Sequence, residues 1–171
     1  EQPFGYDAAY MPLMIDVSPV SAIKFSAVSS LVPRRDAPVE ALAAVGIVGT
    51  LHEDCGPCTQ ISVDMAIAGG ARAEVVRAIL AGDAANMGED AHLGYRFARA
   101  VLAKSLDEAD ECRDAVVERW GRKGLVALSL SLTAARMYPT LKYALGYGKT
   151  CSKVTVQGQP TAFERPELLA A

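Results

Sequence analysis

The sequence predicts a single all-α domain, and three observations carry that prediction. Hydrophobic residues make up 51% of the 171-residue chain, yet aromatic residues make up only 6%. That balance suits helices packed closely through small side chains better than a β-sandwich, where β-branched and aromatic residues are enriched. Between glycine and proline punctuation, apolar residues recur every three or four positions, the period of a helix. Strand-like alternation is confined to one short stretch, residues 153–157. The length fits one domain spanning 1–171, and neither an internal repeat nor a second domain is evident. The expected architecture is a bundle of six to eight helices, with a helical arm over 1–35 and an extended tail over 158–171. The high apolar content also points to surface buried between subunits of a homo-oligomer.

Residues 8–31 hold Pro12 and Pro19 and read as two short helical pieces. The second starts near Ser18-Pro19, since serine caps and proline suits a first turn. After the connection at 32–38, a helix opens at Asp36 or Ala37 with Pro38 in its first turn. It sets Val39, Leu42, Val45 and Val48 on one face, and Gly46 and Gly49 invite close approach of a neighbouring helix. The next helix begins at Cys55-Gly56-Pro57-Cys58 and stops at Gly69-Gly70. Residues 71–82 form another, ended by Gly82. Residues 88–104 carry Leu93, Phe97 and Val101 at a spacing of four. Ser105 and Glu108 fit a capping box; the helix behind them buries Ala109, Cys112 and Val116, with Trp120 near its end. A long helix from about Lys123 follows, with Leu125, Leu128 and Leu132 on one face. Pro139 is expected to kink or restart it, and it ends near Gly146. The strand-like 153–157 has no clear partner.

The 17 basic and 20 acidic residues leave a formal charge of −3. No basic run stands out, which argues against nucleic-acid binding. The longest nearly apolar stretch, 124–135, is too short to span a bilayer. No signal-peptide pattern is evident, so a cytoplasmic setting is expected; because the chain opens on Glu1 rather than Met, a removed leader stays open.

The chemistry concentrates at 50–66, TLHEDCGPCTQISVDMA. A cysteine is nucleophilic as its thiolate, and the N-terminus of a helix favours that anion. Proline within the motif fits a first helical turn. Cys55 then lies at or near the N-cap, and Cys58 lies one turn further in on the same side, so a disulfide can form and break between them. Ser62, four residues beyond Cys58, shares its face and is placed to hydrogen-bond the sulfur. His52 is a candidate base or proton shuttle. Glu53 and Asp54 suit a helix start or a proton relay, although nearby carboxylates raise a thiol pKa. On the helix-terminus argument alone, Cys55 is the favoured nucleophile.

Plainer readings stand beside these. The cysteine pair can be buried packing, Ser62 a neutral helix residue, Glu53 and Asp54 helix caps, and His52 and His92 surface groups. Cys112 falls on an apolar stripe and reads as core, while Cys151, after the last helix, stays open between an exposed, reactive thiol and one without a role. A zinc site would need two more ligands from His52, His92, Cys112 and Cys151, and no second closely spaced pair exists. Cys-Gly-Pro-Cys is also the thioredoxin tetrapeptide, but a thioredoxin places it after a buried strand in an alternating β/α chain; here helical spacing precedes it.

The stretch EDCGPCTQISVDMAIAGG, preceded by an alanine-rich helix and followed by VVRAILAG, resembles the carboxymuconolactone decarboxylase-like superfamily, and within it the alkylhydroperoxidase AhpD-like branch. The resemblance covers about 37–104 and extends through 127–148. It implies an all-α oligomer (trimer, hexamer or dimer) that needs no metal or organic cofactor and reduces peroxides or exchanges disulfides, recharged by an external thiol reductant. It makes Cys58 the peroxide-attacking thiol and Cys55 its resolving partner, the reverse of the helix-terminus argument. The chain also departs from the pattern. Ser62 stands where the family's relay has a histidine, Gly56-Pro57 where well-studied members have a histidine between the cysteines, and Ala43 where the relay glutamate falls, with Glu40 the nearest acid upstream. Glu53, His52 or His92 are the candidates to replace that relay. Two rivals remain: cysteine-independent decarboxylase or lactone chemistry, and a non-enzymatic oligomer or redox sensor with the cysteine pair as its switch.

Overall fold

The computed structural model describes residues 8–164. Among these, seven α-helices and one small hairpin follow in order: α1 (Tyr10–Val17), α2 (Pro19–Ser26), α3 (Val39–His52), α4 (Gly56–Ala68), α5 (Ala73–Ala81), α6 (Gly88–Leu102), α7 (Leu106–Ala144), β1 (Val154–Val156) and β2 (Gln159–Thr161). Short 3₁₀ segments lie at Ala27–Leu31 and Ala84–Asn86. The all-α class and the helix count agree with the sequence reading. The parts of the predicted arm at 1–7 and of the predicted tail at 165–171 lie outside the described residues.

Helix α3 is the centre. It packs against α4, α5, α6 and α7. The sequence reading gave it one apolar face, but Ala41, Ala43, Ala44, Val45, Ile47, Val48 and Leu51 are all buried. A helix that is apolar all round belongs inside. It divides the core in two. On one side Ala44, Ile47 and Leu51 meet Val63 of α4, Val75, Val76 and Ile79 of α5, and Val154 and Val156 of the hairpin. On the other, Ala41, Val45 and Val48 meet Phe97 and Leu102 of α6 and Cys112, Val116, Leu128 and Leu132 of α7. Cys112 is thus core, and burial pushes its thiol pKa up.

Several boundaries differ in detail from the sequence reading. Pro38 is the N-cap of α3 rather than a first-turn residue; its backbone is extended at ψ 145° and its carbonyl accepts from Leu42 N–H at 3.1 Å. Ser18 precedes α2 as expected, but its hydroxyl donates to Ser21 Oγ at 2.7 Å instead of capping. Ser105 begins α7 without the side-chain bond of a capping box. The chain does not restart at Pro139. The break lies instead at Gly121, at φ 71° and ψ 179°, a conformation suited to glycine; α7 is two helices joined at that kink, at the boundary between Trp120 and Lys123 that the sequence predicts. Gly82 ends α5 in the left-handed region, as predicted.

The strand-like stretch at 153–157 does have a partner. Val154 pairs with Thr161 and Val156 with Gln159 in antiparallel register, so the start of the predicted tail is a strand rather than free chain. The intervening Gln157 and Gly158 both have positive φ, as a two-residue hairpin turn requires. Gln60 of α4 holds β1 as a neighbouring strand would: its Nε2 donates to Thr155 O at 3.0 Å, and its Oε1 accepts from Thr155 N–H at 2.8 Å.

Among the described residues no helix is long and apolar enough to cross a membrane. The arm α1–α2 leaves Leu13, Ile15, Val17, Val20 and Ile23 exposed. It touches the body partly through Phe25, whose ring meets Tyr138 edge-on at 4.8 Å between centroids.

Candidate thiol active site

Helix α4 starts where the sequence places it. Cys55 is its N-cap, with extended backbone at φ −102° and ψ 98°, and Pro57 sits in the first turn. The offset of three residues brings the two cysteine Cα atoms to 5.2 Å, and Cys55 and Cys58 are joined as a disulfide, within the ordinary range for a bridge. The Cys55 carbonyl accepts from Thr59 N–H at 2.8 Å and from Thr59 Oγ1 at 3.0 Å, closing the first turn.

The junction that delivers Cys55 is clamped on three sides. Asp54 sits at φ 48°, a left-handed conformation that aspartate adopts more readily than most residues. Its carboxylate accepts from Cys151 N–H at 3.0 Å, and its carbonyl accepts from Tyr143 OH at 2.9 Å. Glu53 pairs with Arg136, Nε to Oε1 at 2.5 Å. Gly56 N–H donates to Lys149 O at 3.1 Å. A Cβ at Gly56 would lie 2.9 Å from Thr150 O and 3.2 Å from Cys151 Cα, so glycine is what lets 149–151 pass beside the motif.

That passage decides the place of Cys151. It is 1% exposed, because its backbone is tied to Asp54 and its segment lies against Gly56. The thiol is therefore not a surface group.

Cys58 forms part of the wall of a cavity of about 460 Å³. Leu42, Ala43, Ile61, Met65, Ala134 and Ala135 make the wall largely apolar. Thr50, Ser62, Ser131 and Tyr138 contribute hydroxyl-bearing residues, and Arg34 is the one charged residue among the described lining groups. Gly46 helps create the space. A Cβ built there meets nothing within 4 Å, whereas one at Gly49 lies 3.0 Å from Ala135 Cβ on α7. Of the two glycines expected to admit a neighbouring helix, only Gly49 does so.

The predicted site residues divide. Cys58 and Ser62 share the cavity wall, but no hydrogen bond links the Ser62 hydroxyl to Cys58 in the bridged state. Cys55 has no solvent exposure and lies outside the lining. His52 and Glu53, at the end of α3, are half-buried and also lie outside it. Burial first, and the Arg136 charge second, hold the His52 pKa below its ordinary value, which keeps the imidazole neutral and able to accept a proton. Ala43, at the position of the family's relay acid, lines the cavity, while Glu40 is turned to Arg72 at 2.8 Å. That bond holds the Glu40 carboxyl below its usual range. His92 is half-buried on α6, a different helix from the cysteine pair. Among the described residues, no group of three or more His, Cys, Asp or Glu is gathered to hold a metal ion.

Sequence reasoning missed the cavity, the Asp54 clamp and Arg136. A glycine within the cysteine motif was the available signal for close backbone approach. The cavity had none, because its lining comes from four separate parts of the chain. No family model, curated protein or solved structure matches this chain.

Proposed function

We propose that this protein is a thiol-dependent oxidoreductase of the AhpD-like kind that reduces peroxides through Cys58 and Cys55. One observation carries the reading: Cys58 lines a substrate-sized cavity while bridged to a partner buried behind it. This favours Cys58 as the attacking thiol, in agreement with the family resemblance and against the helix-terminus argument.

The cycle balances without a metal or organic cofactor. Cys58 thiolate attacks the terminal oxygen of a hydroperoxide, the O–O bond breaks, and the alcohol leaves once protonated. Cys58 is then a sulfenic acid. The Cys55 sulfur attacks Cys58 Sγ, water departs, and the disulfide forms. An external dithiol returns both cysteines to thiols by exchange, leaving as a disulfide itself. His52, held neutral, is the proposed proton acceptor at this end of α3. Glu53, through its bond to Arg136, is assigned to holding the junction. Ser62 is placed to meet Cys58 once the bridge is open.

A homo-oligomer completes the proposal. The exposed Leu13, Ile15, Val17, Val20 and Ile23 of α1–α2 support it, since apolar side chains gathered on one arm gain by burial against another subunit. A cytoplasmic setting, where dithiol reductants are plentiful, suits the recycling step.

The test combines peroxide consumption with a disulfide map. The reduced protein should consume one equivalent of organic hydroperoxide and form the Cys55–Cys58 bridge. Cys58→Ser should abolish consumption with folding intact, and Cys55→Ser should stop at a Cys58 sulfenic acid. Full consumption by Cys58→Ser would sink the proposal, and unfolding of both variants would assign the bridge a structural role.

A further inference from the structure

The cavity before Cys58 does not end in an apolar wall. Its lining shares Val32 and Arg34 with a shallow recess completed by Ser30, Pro33 and Arg35. The two arginines are exposed, and neither makes an ion pair with any described carboxylate. Among the described residues, the cavity lining contains no acid. Six other arginines pair with acids, among them Arg72 with Glu40, Arg99 with Glu164, Arg119 with Glu89 and Asp90, and Arg136 with Glu53; Arg77 and Arg122, away from the cavity lining, make no such pair among the described residues.

The result is an amphipathic site. An apolar chamber of about 460 Å³, within the roughly 300–1,000 Å³ of small-molecule sites, has Cys58 in its wall, Arg34 in its lining, and Arg35 in the recess that adjoins it. Apolar walls with a few placed polar groups are what orient a ligand. A guanidinium binds a carboxylate or phosphate through paired N–H donors. Burying an uncharged chain against the walls and leaving an anion at the arginines satisfies both parts together. A neutral hydrophobe would leave the arginines unused, and a small hydrophilic peroxide would leave most of the chamber empty.

We propose that the cavity binds a single-chain anionic amphiphile, its hydrocarbon chain in the chamber beside Cys58 and its acidic head at Arg34 and Arg35. The catalytic consequence, that the natural substrate is a hydroperoxide carried on such a chain, rests on the thiol reading above. The binding itself does not.

Binding is therefore measured apart from turnover. Dodecanoate, dodecyl phosphate and dodecanol, each below its aggregation limit, are titrated by calorimetry into the full-length oxidised protein. The same titrations are run with Arg34→Gln/Arg35→Gln and with Gly46→Phe, each first checked for helical content and a cooperative melt. Dodecanoate is expected to bind once per chain, at least about tenfold more tightly than dodecanol, and the arginine variant should erase that preference. Gly46→Phe should remove binding of all three. A carboxylate preferred over the phosphate points to a fatty acid as the natural source, and the reverse to a phosphate monoester; either supports the anionic head. Absence of saturable binding, or equal affinity for dodecanoate and dodecanol unaffected by the arginine variant, overturns the proposal. Binding as expected without peroxide consumption would leave this site standing and remove the peroxidase reading.

Discussion

Helix α3 meets its surroundings in two ways with one set of small residues. Toward α6 there is no spare room: a Cβ on Gly94 would lie 2.6 Å from Ala41 O and 3.0 Å from Ala41 Cα. Toward the cavity, Gly46 on the same helix faces open space, with nothing within 4 Å of the corresponding point. Both are helical glycines in an alanine-rich setting. One serves packing and the other makes a chamber beside Cys58. The difference lies in what the neighbouring helix does, since α6 comes close enough to touch backbone and α4 and α7 do not close over Gly46.

The most damaging way to probe this contrast is Gly94→Ala. The new methyl has backbone in its path, so α3 and α6 must part, at a cost of about 1–3 kcal/mol. A lower urea midpoint with unchanged slope is the expected result, and an unchanged midpoint would mean the contact yields easily. Gly56→Ala tests the other tight passage. Its methyl presses on Thr150 O and the Cys151 backbone, and the loss should be about 1–2 kcal/mol. Because 149–151 would be displaced, the Cys151 thiol should also become open to alkylation in the folded protein; continued protection would argue against that clamp.

The open side is tested by filling it. Gly46→Phe should lower kcat/KM for a bulky organic hydroperoxide about tenfold, near 1.4 kcal/mol of transition-state binding, and leave hydrogen peroxide reduction largely unchanged. Equal losses for both would show that the chamber does not select substrate. Gly46→Ala has the opposite sign for stability: with space for the methyl and a helical backbone, it should gain up to about 1 kcal/mol. A melting temperature that falls instead would show the chamber is smaller than it looks.

The smallest effect is one of pH. Folded His52 titrates below its ordinary 6.5, so the unfolded chain takes up the proton first. Its contribution is whole above about pH 6.5 and is lost as the pH falls toward the folded value. Stability should decline as the pH falls below about 6.5, and His52→Gln should decline less over that range. Identical profiles would place the titration elsewhere.

Local rules, acting over a few residues, made much of this protein legible in its sequence. The starts of α2 and α4, the stop at Gly69-Gly70, the left-handed Gly82 and the core position of Cys112 all follow from proline, glycine and helical period. So does the cysteine pair on one side of a first turn, because a spacing of three is a property of the helix itself. The tertiary structure decided the rest. Burial of α3 on every side depends on four other helices, which an alternation of alanine and valine does not count. The partner of β1 was hidden because Gln157 is an unusual residue for a left-handed turn position. The place of Cys151 after the last helix leaves its exposure open, and it is Asp54 and Gly56 that draw its backbone inward from nearly a hundred residues away. Which cysteine lines a cavity could not come from the motif, since both occupy the same helical turn. Only the place of Cys58 in the wall of the chamber that α3, α4, α7 and the segment around Arg34 leave between them tells the two apart. Sequence sets the local conformation because those forces act between neighbours in the chain; a cavity belongs to no segment and exists only where distant segments fail to meet.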